Sequence, residues 1–67
     1  MTKIQREAIS ACQRNGATVT GMRHGGKHWI VQCIEGRFVF PSSPSDQRWI
    51  KNFEAQVRRM MRDRAND

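Results

Sequence analysis

The chain has 67 residues, with twelve Lys+Arg against six Asp+Glu, a net charge of +6 and 37% apolar residues. That length fits one domain that buries only about 60% of its unfolded surface, and it excludes a large enzyme with an elaborate cofactor cleft. No apolar run approaches the roughly 18–20 residues of a membrane span, and no basic segment leading into a long apolar one opens the chain, so neither a membrane partner nor a secretory signal is expected.

Thr2-Lys3-Ile4-Gln5 has the spacing of a capping box. Ile4, Ala8, Ala11 and Cys12 follow on one helical face, with Ile9 beside it, and Asn15-Gly16 closes the element. The first helix is predicted over about residues 3–14. Ala17 to Arg23 is β-prone and loosely alternating, and His24-Gly25-Gly26-Lys27 reads as a turn. His28 to Cys33 alternates, with Trp29, Val31 and Cys33 on one side and His28, Ile30 and Gln32 on the other. Glu35-Gly36 makes a second turn, and Arg37 to Phe40 a third strand whose pairing Pro41 ends for want of an N–H. Ser43, Pro44 and Asp46 suit the N-cap, first and third positions of a second helix. Trp49, Ile50, Phe53, Val57, Met60 and Met61 then recur at helical spacing, which predicts a helix over about 44–62 and a frayed tail from Asp63.

The fold class expected is α+β. The order is α-β-β-β-α, a three-stranded antiparallel sheet with two helices on one face, in one domain ordered over about 3–62. All five aromatics lie between residues 29 and 53, so the core centres there, and Trp29 and Trp49 are assigned to it rather than to base stacking. Met60 and Met61 cover its edge or meet a partner protein. Cys12 and Cys33 sit inside apolar patterns and read as small free hydrophobes, which predicts a reduced, cytoplasmic setting.

Nine of the twelve cations are arginine, whose planar fork suits phosphate. With a pI near 10.8, nucleic acid is favoured as partner over an acidic protein or a lipid surface. His24 and His28 lack the Cys or carboxylate neighbours of a metal site, so no metal and no cofactor is expected. His28 opens the central strand on the side opposite Trp29, next to Lys27. From local chemistry it contacts phosphate or caps the turn. In a sharper reading, an exposed imidazole beside cations moves protons at an RNA 2′-hydroxyl, and Lys27 or Arg23 stabilises the phosphate. Arg48, Asn52, Arg59 and Arg62 fall on one stripe of the second helix, flanked by Arg58. The stripe follows a phosphate backbone or is an ordinary solvated face. Arg23, His24 and Lys27 complete the candidate contacts.

The element order resembles the double-stranded-RNA-binding-like fold. The short basic chain, with Gly25-Gly26-Lys27-His28 running into the second strand, resembles the HicA toxin family over about residues 3–41. In that family a Gly-Ser-His segment starts the same strand, so the resemblance implies a catalytic role for His28, with Gly26 and Lys27 at the two preceding positions. It also implies a metal-independent ribonuclease neutralised by a partner antitoxin. Lys27 stands where the family has Ser. After Pro41, Ser42 to Arg48 departs from the family's histidine and Gly-Thr-Leu helix start, and looks closer to small phage and prophage proteins of the same shape. The function expected is RNA binding, or duplex DNA binding, with cleavage through His28 as its sharp form. The alternatives are a non-catalytic phage regulator and a module docking on an acidic partner.

Overall fold

The computed structural model describes residues 2–43 and 48–65. The order is α1 (Lys3–Arg14), β1 (Val19–Gly25), β2 (His28–Cys33), β3 (Arg37–Pro41) and α2 (Arg48–Ala65). The strands form one antiparallel sheet in the order β1-β2-β3. The expected α-β-β-β-α arrangement is therefore the one observed.

Local chemistry sets the element ends. Thr2 caps α1: the Gln5 amide donates to its hydroxyl at 3.3 Å, and its own amide donates to Gln5 Oε1 at 2.8 Å. At the other end Gly16 takes φ +87°, Ala17 N donates to Cys12 O at 2.9 Å and Gly16 N to Gln13 O at 3.1 Å. This is the Schellman closure, which satisfies carbonyls the last turn leaves open.

β1 runs over 19–25, two residues later than the predicted 17–23, because the turn is tighter than four residues. Gly25 pairs with His28, leaving Gly26 and Lys27 as a two-residue loop. Only Gly26 takes a positive φ, at 65°, which is the type II′ pattern and follows the twist of the strands. β1 also contains a bulge between Val19 and Gly21. The extra residue, Thr20, donates through its hydroxyl to Gln32 O at 3.2 Å. The bulge turns both Val19 and Met22 toward the core despite their spacing of three.

Pro41 does not stop β3, as its missing N–H had suggested. It lies opposite His28, and the next residue, Ser42, donates from N to Lys27 O at 3.2 Å. By the alternation of antiparallel bonding, Pro41 N points to the free edge, where no donor is needed. α2 continues to Ala65, past the predicted end at 62 and through residues expected to fray. The predicted cap at Pro44 and Asp46 lies outside the described residues.

The core joins both helices to one sheet face: Ala8, Ala11 and Cys12 from α1, Val31, Phe38 and Phe40 from the sheet, and Phe53 and Val57 from α2. Phe53 stands edge-on to Phe38 and Phe40, at 6.2 and 5.7 Å between centroids. Trp49 stacks on Phe40 at 5.7 Å. Met60 and Met61 pack against this cluster from the end of α2. Trp29 and Trp49 also pack against the core, as expected, but each keeps a partly exposed edge.

Candidate nucleic-acid interface

Side chains alternate across a sheet, so the register settles which residues share a face. Met22, Val31 and Phe38 lie in one row and His24, Trp29 and Phe40 in the next, both facing the helices. The rows between them face away from both helices. They are Gly21, Gln32 and Arg37; then Arg23, Ile30 and Val39; then Gly25, His28 and Pro41. None of these positions carries a carboxylate. Arg23, His28 and Arg37 are exposed around a centre of Ile30 and Val39, the latter 45% exposed. Gly21 leaves room for the Gln32 side chain, since a β-carbon there would lie 3.3 Å from Gln32 Oε1.

Two predicted residues, Arg23 and His28, are thus brought together, and Lys27 is beside them in the loop. Its carbonyl is fixed by two donors, Ser42 N and Ser42 Oγ at 2.9 Å, so the base of the Lys27 side chain is held. His24 is separated from His28. It sits on the helix-facing side with its ring 4.5 Å from Trp29. The two histidines flank the same loop but look to opposite faces, because Gly25 and Gly26 place them an even number of residues apart across a two-residue turn.

The α2 stripe divides. Asn52 and Arg59 line a groove of about 400 Å³ between α2 and β3, together with Arg37, Phe38, Ala55, Gln56, Met60 and Asp63. Arg62 is exposed outside that groove, and Arg48 is exposed at the first residue of the helix. Sequence reasoning missed Arg37 and Gln56. Arg37 reads only as the start of a strand until the register sets it beside Gln32. Gln56 lies one turn after Asn52, and that spacing was the available signal.

The groove is tied shut along one side. Gln56 Nε2 donates to Val39 O on the free edge of β3 at 3.5 Å. At the far end of the sheet, Glu35 accepts from Thr18 N at 2.9 Å, and this bond, with that of its own amide, holds its carboxyl below the usual range. That contact pins the β2–β3 turn to the α1–β1 connection.

Cys12 is fully buried, and burial, with Cys33 and Glu35 nearby, pushes its thiol up to about 12. Cys33 is raised as well, chiefly by burial. Neither is disposed to act as a thiolate at neutral pH. Among the described residues no group of three or more His, Cys, Asp or Glu could hold a metal ion, and no helix is long and apolar enough to cross a membrane.

Comparison of the chain with protein-family models, curated proteins and solved structures finds no match. The functional reading therefore stands on the residues themselves.

Proposed function

We propose that this protein binds RNA through the uncovered face of its sheet. The observation that carries the reading is the register: it gathers Arg23, His28 and Arg37 on one exposed face that holds no carboxylate, around Ile30 and Val39. Cations on such a face neutralise phosphates and release counterions. The aliphatic centre and the His28 ring offer apolar surface to unpaired bases. Lys27 extends the positive rim past the end of the sheet, while Arg48 and Arg62 are exposed cations of α2, the helix packed on the other face. The resemblance to HicA toxins supports the same substrate class, and an acidic antitoxin is the partner protein that would cover this face.

Cleavage is the sharper form of the proposal, favoured by the exposure of His28 on the same face as Arg23. Neutral His28 takes the proton of a ribose 2′-hydroxyl as its oxygen bonds to phosphorus. The P–O5′ bond breaks, and the imidazolium returns the proton to the leaving 5′-oxygen. The products are a 2′,3′-cyclic phosphate and a 5′-hydroxyl, and Arg23 or Lys27 stabilises the negative charge that develops on the non-bridging phosphate oxygens.

The test is a gel assay of mixed RNA in low salt with EDTA, using wild type and His28→Ala. Retardation of RNA by both proteins supports binding, and fragmentation by wild type alone supports cleavage through His28. Intact, unshifted RNA overturns the proposal and favours duplex DNA or an acidic protein as partner.

A further inference from the structure

The groove between α2 and β3 differs from the sheet face in both shape and chemistry. Asn52, Gln56, Arg59 and Asp63 follow one another at intervals of four, three and four residues, so they form one ridge along its helical wall. Arg37 closes the opposite wall, and Phe38, Ala55 and Met60 supply apolar lining. At about 400 Å³ the groove is near the small end of the range for small-molecule sites, about 300–1,000 Å³. That space suits one nucleotide and not a duplex.

The ridge bears the side-chain types that read base edges. Amides present a donor and an acceptor side by side and match adenine at two atoms at once, whereas arginine suits phosphate or guanine. Gln56 is held against the β3 edge through Val39 O, which spends one of its amide hydrogens and fixes its place in the wall. Asn52, exposed one turn earlier, is the amide best placed to read. Arg37 and Arg59 stand on the two walls as a pair of cations for one phosphate. Asp63 is an acceptor at the C-terminal end of the ridge, suited to an exocyclic amine or a ribose hydroxyl and opposed to a second phosphate.

Arg37 connects the two surfaces. It lies in the row of Gln32 on the open face and also lines the groove. A strand that crosses the sheet face toward this end therefore meets the groove as it passes the β3 edge.

We propose that the groove holds a single unpaired nucleotide of the bound strand, adenine by preference, with its base on Asn52 and its phosphate between Arg37 and Arg59. This inference rests on the RNA reading above and adds to it a site, a strand state and a base.

The experiment is fluorescence anisotropy with labelled oligo(A) and oligo(U), using wild type, Asn52→Ala, Arg59→Ala and, as a control for loss of one exposed charge elsewhere, Arg6→Ala. It is paired with an NMR titration of the wild-type protein with adenosine 3′-monophosphate and uridine 3′-monophosphate. Wild type is expected to bind oligo(A) about tenfold more tightly than oligo(U), the scale of one good amide–base pair. Asn52→Ala should erase that preference, while Arg59→Ala weakens both oligonucleotides alike and by more than Arg6→Ala does. The side-chain amide signals of Asn52 and Gln56 should move with the adenosine nucleotide. If both oligonucleotides bind but Asn52→Ala and Arg59→Ala behave like Arg6→Ala and the amide signals stay still, the groove assignment is overturned and the RNA reading survives. If wild type binds neither oligonucleotide at low salt, both fall together.

Discussion

The two faces of the sheet are made from the same three strands, yet they are opposite in kind. On one, Val31, Phe38 and Phe40 are sealed by Phe53 and Val57 of α2 and by Ala8, Ala11 and Cys12 of α1. On the other, the alternate residues of those strands present Arg23, His28, Gln32 and Arg37 around Ile30 and Val39. In a chain this short the first face must supply nearly all the apolar burial, so little stability depends on the second. The second is free to be selected for what it contacts. Substitutions on the two faces should therefore move different observables.

The largest effect is expected at Phe53. Its ring contacts Phe38, Phe40 and Trp49, and Phe53→Ala leaves a cavity at their junction. The cost is about 3–5 kcal/mol, comparable to the whole stability of a domain this small. Urea melts should show the variant mostly unfolded at 25 °C. A loss below about 1 kcal/mol would break the contrast between the faces.

Cys12 gives the next test, through pH. Its folded-state pKa is raised from 9.0 to about 12, so its neutral form contributes stability that is fully present below pH 9. That contribution is lost as pH rises from about 9 toward 12, because the unfolded thiol ionises first. Melting temperature should fall across this window, and by less in Cys12→Ala relative to its own value at pH 8. In native protein at pH 8, Cys12 should also resist iodoacetamide until the chain is unfolded.

Smaller changes are expected outside the core. Arg14 and Glu54 join α1 to α2 at 3.0 Å, but the arginine is 60% exposed, so Arg14→Ala should cost about 0.2–1 kcal/mol and less in high salt. Smallest of all, Val39→Thr and His28→Ala on the open face should leave stability within about 0.5 kcal/mol of wild type. Chemical denaturation measures both. A large loss in either would mean that the open face is part of the stabilising structure.

Much of the fold is legible in the sequence, for local reasons. Thr2, Gln5 and Gly16 carry the ends of α1 in their own side chains or backbone freedom, and the alternation from His28 to Cys33 assigns β2 and both of its faces. The bulge at Thr20 is not legible, because it depends on how β1 pairs rather than on its composition. Pro41 misleads for a related reason: a missing N–H ends a strand only when it would face a partner, and here it faces the free edge. The site is legible in part. Arg23 and His28 could be placed together from strand periodicity alone. The role of Arg37, and the division of the α2 stripe between groove and outer surface, depend on where α2 lies along β3, which is a tertiary fact.

The most direct test of the RNA assignment is the salt dependence of affinity for a single-stranded RNA, compared among wild type, Arg23→Ala and Arg6→Ala. The logarithm of the binding constant should fall linearly with the logarithm of salt concentration, with about 0.7 of slope per phosphate contact. Arg23→Ala should flatten the slope by about that amount, and Arg6→Ala, on the exposed side of α1, should leave it unchanged. Identical slopes for wild type and Arg23→Ala would contradict the assignment of the open sheet face as the surface that meets RNA.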